Sequence, residues 1–481
     1  MFRLDSRGAF LTTVALGLVA PLAAMAIVAL ALGAQGLIAA LQVAASVSFR
    51  GPVRQDDAAG TPSPIFSVHI ATHEEPPALV SRTVRSLAGQ VGAPQFEVIV
   101  LDNNTADPTL WQPVSDLCDR LGPQFCFFHE DGVKGAKAGA LNIALSRTDR
   151  AATHIVIVDA DYEVSPDFLA IAAAEIARRD DDFFQFPQAY RNDGAQVAGI
   201  SLELADYFHR HAPQADGADA MLLTGTLSVI RRSALEAAGQ WSGDTITEDA
   251  ELGLRLRRLG FRGRFVDRVA GRGLLPLDVA GLAQQRYRWA AGNVGTILTG
   301  FSGLSLSAAL HVAAQLTAWT NFALPMAGGL IGGGLALAAG LDPHAAADLT
   351  SLSGFGLLLV GLSVCLPLFI SVMRSGRAEF PALLVALSSR LVLVLPSAMG
   401  TVDALLGCSG SFRRTSKDVG SGGASLGPLM PALALAGLLL LLVPGLPLLA
   451  GLGALLLVLP FPFALGTRRR LSAYRASLQL A

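Results

Sequence analysis

The chain reads as an α/β domain with a mainly parallel sheet, combined with an α-helical transmembrane bundle. Three observations predict this. Hydrophobic residues make up 52% of the 481 residues and charged residues 15%, whereas soluble proteins carry roughly 25% charged residues. The charge is unevenly spread: residues 1–49 are almost all apolar after Arg7, residues 50–300 hold most of the acids and bases, and residues 303–467 are again mostly apolar. Within the charged part, short apolar runs alternate with helical patterns, as strand–helix–strand units do.

The bulk numbers also exclude. A net charge of −2 gives no global field for nucleic acid. Cys118, Cys126, Cys365 and Cys408 form no CxxC pair, which argues against a disulfide framework or a zinc site. Free thiols suit a cytosolic domain.

The first apolar run, Phe10 to Phe49, would reach roughly 60 Å as a helix, twice the hydrocarbon core. Gly33-Ala34-Gln35-Gly36 offers a turn. Two spans with both ends cytoplasmic fit Arg3, Arg7, Arg50 and Arg54; a single span or a signal anchor is the alternative. Further spans are expected near 316–341, 354–373, 427–445 and 448–466. Asp342 and Asp348 mark an outer loop, and Arg374, Arg377 and Arg468 to Arg470 mark inner ones. Segment 381–404 carries Arg390 and Asp403 and reads as an interfacial amphipathic helix. The glycines of "GGLIGGGLALAAG" permit close helix packing. The domains are therefore expected at 1–50 (membrane segment), 51–300 (cytosolic domain), 301–425 (interface helices, two transmembrane helices and a loop) and 426–481 (two transmembrane helices and a basic tail).

In the cytosolic part, "FSVHIAT", "FEVIVLDNN" and "HIVIVDADYE" read as buried strands, with residues 78–90 helical between the first two. Ligands bind at the carboxyl ends of such strands. Asp102, Asp159 and Asp161 fall there.

Three motifs could carry chemistry. Asp159-Ala160-Asp161 ends a strand and could reach a divalent cation that bridges carboxylates to phosphates; alone, a DxD is also a common turn or cap. Thr247-Glu248-Asp249 opens the helical pattern "DAELGLRLRRLG", whose Leu252, Leu254, Leu256 and Leu259 give an apolar side. Its acids suit helix capping, or a general base taking a proton from an attacking hydroxyl. Gln285, Arg288 and Trp289 have the spacing QxxRW. Arginine makes bidentate contacts to phosphate and tryptophan offers a flat face to a sugar, although membrane proteins also use an aromatic and basic belt at the interface. His209-Arg210-His211 reads as surface, and Gly132 to Gly139 lacks the P-loop pattern.

Taken together and in this order, these motifs resemble family 2 processive membrane glycosyltransferases, the cellulose synthase, chitin synthase and hyaluronan synthase type, and among them bacterial β-glucan synthases. "VKGAKAGALNIAL" resembles the family's KAGxLN segment, "TGTLSVIRRSALEAAGQW" its small-residue loop and arginine pair, and "SFRRTSK" the FxVTxK gating loop, with Arg414 in place of the valine. The resemblance covers about residues 65–425.

It implies a GT-A fold on the cytosolic face and a nucleotide-sugar donor. Thr72 and Glu74 of "IATHEE" would hold the nucleoside, where His73 replaces a common aromatic or arginine, and Asp102 would also contact the nucleotide. Asp159 and Asp161 would bind Mg²⁺ or Mn²⁺ and the diphosphate, with Lys137 nearby. Asp249 would be the general base, beside Glu248. Arg288 would bind the diphosphate with Gln285 close by, and Trp289 would stack under the acceptor. Phe412, Thr415 and Lys417 would close over the nucleotide. The implied activity is inverting polymerisation of glucose from UDP-glucose into a β-glucan, with 1,3 or mixed 1,3/1,4 linkage suggested by "VLDNNTADPTLWQPV" and "GRGLLP", and extrusion of the product. The implied partners are the growing glycan, the lipid membrane of a bacterial inner membrane, and accessory export subunits. Three other readings stay open: a 1,4-β-glucan or other polysaccharide synthase with a different UDP-sugar, a non-processive glycolipid glucosyltransferase, and a transporter with an α/β domain.

Overall fold

A computed structural model describes residues 4–48, 63–191, 194, 196–376, 379–408 and 427–479. Phe412, Thr415 and Lys417 lie outside these residues, as do Arg3, Arg50, Arg54 and Arg377. The chain begins with helices α1 (Ser6–Val19) and α2 (Pro21–Val47). The α/β domain follows as β1 (Phe66–Thr72), α3 (Pro77–Ala88), β2 (Phe96–Asn103), α4 (Pro108–Leu121), β3 (Phe125–Glu130), α5 (Ala136–Arg147), β4 (His154–Ile157), β5 (Glu163–Val164), α6 (Phe168–Arg178), β6 (Phe183–Gln185), α7 (Ala198–Gly217), β7 (Ser228–Arg231), α8 (Arg232–Ala237), α9 (Glu248–Arg258), β8 (Gly263–Phe265) and β9 (Gly271–Arg272). Helices α10 (Val279–Leu298), α11 (Leu306–Leu316), α12 (Ala323–Ala338), α13 (Pro343–Ser375), α14 (Phe380–Leu405), α15 (Leu429–Leu440), α16 (Leu448–Val458) and α17 (Pro460–Gln479) complete it.

The main sheet has the order β3-β2-β1-β4-β7-β6-β8. Strands β3, β2, β1 and β4 are mutually parallel, β6 pairs parallel with β8, and β7 runs antiparallel to β4 and β6. Both faces are covered, which is why the strands read as unbroken apolar runs. In β4, Ile155 and Ile157 enter one core beside Leu141, Leu252 and Leu254. Val156, and Val158 just beyond it, enter the other beside Val68, Val84 and Val100. Register then aligns the strand ends: Thr72 pairs with Asp102, and His69 with Ile157. On α9, Leu252, Leu254 and Leu256 are buried as expected, but Leu259 follows the last helical residue and is 55% exposed.

Among the described residues, four helical segments are long and apolar enough to cross a membrane: Pro21–Val47, Pro343–Ser375, Phe380–Leu405 and Leu448–Leu478. They mark an integral membrane protein. The N-terminal run forms two helices, but only α2 is long enough to cross, α1 having 14 residues, and the break falls at Ala20-Pro21 and not at Gly33 to Gly36. Proline at a first helical position suits this break. Gln35 stays helical because it is spoken for: its Nε2 donates to Ser363 Oγ at 2.9 Å and its Oε1 accepts from Phe322 N at 3.1 Å. Along α12, Gly328 faces Thr13 and Gly332 faces Gly17, whereas Gly329 faces Val28. Helix α1 therefore runs alongside α12 and α2 returns against it. A Cβ on Gly332 would lie 2.3 Å from Val14 O, so the glycine run is close packing.

Downstream, the expected 316–341 span is divided. Helix α11 ends at Leu316 and α12 begins at Ala323, with Trp319 between them facing the α/β domain. Helices α12 (16 residues) and α15 (12 residues) are shorter than the expected spans. Segment 381–404 is not amphipathic in the expected sense. Helix α14 is an apolar helix of 26 residues whose charges, Arg390 and Asp403, are buried. It packs on α7 and α10, and Gly400 lets the backbones of α14 and α10 meet: a Cβ there would lie 2.4 Å from Tyr287 O.

Candidate active site

A cavity of about 540 Å³ opens at the carboxyl ends of β1, β2 and β4 and continues to the α10–α11 helices. Its outer end is polar. Thr72, His73, Glu75, Asn103 and Asn104 line it. Asp102, expected at the nucleotide, stands behind this wall with 3% exposure. Its Oδ1 accepts from Thr72 Oγ1 and from Thr105 Oγ1, each at 2.9 Å, and its Oδ2 lies 2.9 Å from His129 Nδ1. Trp111 stacks on His129 with ring centroids 4.5 Å apart. Asp102 thus fixes the groups that shape the pocket. Glu74 is not in the lining either: its backbone takes φ 51° and its N donates to Thr105 Oγ1 at 2.8 Å, which turns Glu75 inward.

The middle of the cavity is charged. Asp159 and Asp161 leave the sheet just after β4, where Asp159 N donates to Thr226 Oγ1 at 3.0 Å. Asp161 is nearly buried and its Oδ2 accepts from Leu274 N at 3.0 Å. Lys137 reaches Asp159 Oδ1 at 2.5 Å and lies 3.9 Å from Glu248 Oε1. It is aimed by the turn into α5, where Gly135 has φ 82°. Burial would lower its pKa, but Asp159 and Glu248 hold the ammonium above its ordinary value. Two carboxylates here, one already drawing a cation, suit a divalent ion. Among the described residues no three His, Cys, Asp or Glu side chains converge into a metal cage. An ion on Asp159 and Asp161 would take its other ligands from a bound diphosphate and water, as Mg²⁺ commonly does.

Asp249 lies in the first turn of α9 and in the cavity wall. The N-cap residue Thr247 makes no side-chain capping bond, while the Asp249 carboxyl meets the backbone N–H groups of Ala250 and of Asp249 itself; capping alone does not explain why Glu248 and Asp249 both line the cavity. Burial, and then the charge of Glu248, push the Asp249 carboxyl up to about 7, against the pull of Lys137. A carboxylate with that affinity can hold a proton taken from a hydroxyl near neutral pH. Arg288 enters from α10. Burial lowers its pKa, while Glu248, Asp159 and Asp249 draw the charge back. Gly292 on the same helix allows this approach, since a Cβ there would lie 2.3 Å from Thr247 Oγ1.

The inner end is aromatic. Trp289 stacks on Trp319 at 5.4 Å and 29°, and Tyr207 lies against Trp319 at 6.2 Å. Gln315 ties this end together: its Nε2 donates to Ala220 O at 2.7 Å and its Oε1 accepts from Tyr207 Oη and Leu222 N, each at 3.2 Å.

The cavity therefore gathers Thr72, Lys137, Asp159, Asp161, Glu248, Asp249, Gln285, Arg288 and Trp289, and leaves Asp102 and Glu74 outside its lining. Sequence reasoning missed Asn103, Gln315, Tyr207 and Trp319. Trp319, the lone tryptophan of the long apolar stretch after Trp289, was a usable signal. It also misplaced His211, which is 3% exposed against Tyr207 and not on the surface. Burial and then Arg210 hold its imidazole well below the ordinary range, so it is neutral.

Comparison with known proteins follows the same outline. Residues 67–239 match glycosyl transferase family 2, and residues 154–395, half of the chain, match glycosyl transferase family group 2. A probable glucomannan 4-beta-mannosyltransferase 11 of Arabidopsis thaliana is 29% identical over 203 residues, covering 40% of this chain and 46% of that protein. A UDP-forming cellulose synthase catalytic subunit of Pseudomonas fluorescens is 27% identical over 237 residues, covering 48% of this chain and 31% of that one. The chain thus spans less than half the length of these relatives. Among solved structures, the Pyrobaculum calidifontis mannosyltransferase PcManGT, in complex with GDP-Man and Mn²⁺, is similar with a TM-score of 0.50 at 17% identity, over 79% of this chain and 99% of that one. That likeness extends to the fold, a GT-A-like domain on a mostly parallel sheet. By the match of half its length, the chain belongs to glycosyl transferase family group 2.

Proposed function

We propose that this protein is an inverting, processive hexosyltransferase that polymerises glucose from UDP-glucose into a β-glucan with 1,3 or mixed 1,3/1,4 linkage, and passes the product across the membrane. The observation that carries the reading is one cavity holding a raised-pKa carboxyl, Asp249, between a cationic, carboxylate-lined centre and an aromatic floor that abuts apolar helices.

The residues divide the work. Thr72, His73, Asn103 and Asn104 cradle the nucleoside, while Asp102 holds that wall in place. Lys137 and Arg288 face the diphosphate, with Glu248 and Gln285 beside them. A Mg²⁺ or Mn²⁺ ion held by Asp159 and Asp161 supplies further positive charge to the leaving group when bound. Trp289 carries the acceptor sugar by its apolar face. Asp249 takes the proton of the acceptor hydroxyl as its oxygen bonds to the anomeric carbon, and the bond from that carbon to the diphosphate breaks. Phe412, Thr415 and Lys417 belong to the same proposal as a closing loop.

The relatives' names favour one second reading. Glucomannan 4-beta-mannosyltransferases and cellulose synthases both point to a 1,4-β product, the former with a mannosyl donor. The test presents radiolabelled UDP-glucose and GDP-mannose, with Mg²⁺ or Mn²⁺, to membranes bearing the wild type or Asp249→Asn. Insoluble Asp249-dependent polymer from UDP-glucose, cut by a 1,3- or mixed-linkage glucanase, is expected. A product cut only by a 1,4-specific enzyme, or made only from GDP-mannose, replaces the first reading by the second. Label confined to a small lipid overturns the polymerase.

A further inference from the structure

Behind the aromatic end of the cavity lies a cluster of charges that the chemistry above does not use. Glu203 on α7 is fully buried. Arg286 Nη2 donates to its two carboxylate oxygens at 3.0 and 2.8 Å. Arg390 of α14 places its Nε 2.7 Å from the same carboxylate, and its Nη2 donates to Glu203 O and to Asp206 Oδ2, each at 3.1 Å. Arg210 Nη2 also donates to Asp206 Oδ2, at 3.0 Å. Arg286 and Arg390 are 2% and 4% exposed. Neither lines the cavity.

Burying such charges gives little net stability, and apolar side chains of similar volume often serve as well. What the cluster supplies is a fixed cation. The guanidinium of Arg286, its Nη2 shared between both oxygens of Glu203, has its carbon 3.9 Å over the centre of the Trp319 ring. Arg390 backs the same ring at 5.8 Å. Trp319 in turn stacks on Trp289. A chain of contacts thus runs from Glu203 through Arg286 and Trp319 to the surface on which the acceptor lies.

We propose that Arg286, clamped by Glu203 and backed by Arg390, is a positioning residue that sets the Trp319–Trp289 pair and so orients the acceptor hydroxyl toward Asp249. The inference rests on the glycosyltransferase reading of the cavity. Loosening the platform leaves donor binding intact but lets water compete for the anomeric carbon. Water then gives up a proton to Asp249 and becomes the hydroxyl of a free sugar, with UDP as leaving group. Arg286→Lys keeps a positive charge near Glu203 and loses the flat face; Arg286→Met loses both.

The experiment measures, in purified full-length protein, total UDP release and its division between polymer and free sugar, together with the donor KM. For Arg286→Lys, the donor KM stays within about twofold while the ratio of free sugar to polymer rises about tenfold, part of the roughly thirtyfold that complete loss of one desolvated cation–π contact supplies. Arg286→Met shows a larger rise. If Arg286→Met does not fold, Trp319→Leu removes the intermediate ring and is expected to give the same rise. A wild-type ratio in folded Arg286→Lys and Trp319→Leu, or equal loss of polymer and free sugar with a raised donor KM, overturns the positioning role. Absence of nucleoside diphosphate release by the wild type from UDP-glucose and from GDP-mannose instead removes the transferase reading, and the inference with it.

Discussion

Removing Lys137 should move the pH at which the enzyme switches on. The Asp249 carboxyl is pushed up by burial and by Glu248, and Lys137 is the cation that pulls it back. Their separation can be bounded. A Cβ built on Gly225 would lie 3.1 Å from Asp249 Oδ2 and 3.8 Å from Lys137 Nζ. The two groups are therefore no more than about 7 Å apart, where an effective dielectric of about 20 gives roughly 2.4 kcal/mol, or between one and two pH units. Catalysis needs the ionised carboxylate, so kcat/KM falls as pH drops through the Asp249 pKa, near 7 in the wild type. Lys137→Met removes the stabilising charge, raises that pKa, and shifts the acid limb to about 8 or above. The assay is the initial rate of UDP release at low donor concentration across a pH series, so that the limb reports the free enzyme. Lys137→Met also weakens donor binding, which lowers the whole curve without moving its midpoint. A lowered curve with an unmoved acid limb would refute the argument that Asp249 is the titrating base and that Lys137 tunes it.

Asp249→Asn should lower transfer by about 10²- to 10⁴-fold while leaving donor binding measurable by calorimetry. The same substitution should stabilise the ligand-free protein at alkaline pH. A folded pKa raised above the ordinary 3.8 contributes stability that is fully present below about 4 and lost as pH rises to about 7, so replacing the carboxyl by a neutral amide recovers up to roughly 4 kcal/mol, read as a raised Tm near pH 8. Asp159→Asn should weaken Mn²⁺ binding in the presence of UDP, followed by electron paramagnetic resonance; unchanged binding would move the ion elsewhere. Gly332→Leu should drive a side chain into the α1 backbone and cost about 1–3 kcal/mol, seen as a lowered Tm in detergent with the donor site unchanged.

Much of the catalytic domain was legible because its signals are local. Each buried strand is an apolar run, and each ends in a residue whose polarity makes sense only at the sheet's ligand edge, as with Asp159 after Ile157. The site was legible as spacing: Gln285, Arg288 and Trp289 share one side of α10 because i, i+3 and i+4 do. What was not legible depends on tertiary partners. Nothing local says that Asp102 is held by Thr72, Thr105 and His129, or that Trp319 closes the aromatic end of the cavity. Gln35 in an apolar run read as a turn because its partners, Ser363 and Phe322, lie on other helices. Arg390 read as interfacial because the carboxylates that bury it sit on α7, far away in sequence.

The same helical spacing explains why helix α10 is bound to the membrane helices. Placing Gln285, Arg288 and Trp289 on one side of α10 forces the two intervening side chains outward, away from the cavity. Arg286 finds Glu203 and, through it, Arg390. Tyr287 Oη donates to Asp403 Oδ2 at 2.7 Å, and the other oxygen of Asp403 accepts from Ser6 N at 2.6 Å, at the start of α1. Helix α14 is thus pinned to α10 near its middle and near its end. A rotation of α10 that moved Arg288 and Trp289 relative to Asp249 would break contacts at both pins. The residues that hold the chemistry and those that seat it on the membrane bundle are therefore one contiguous stretch of chain, and neither set can shift without the other.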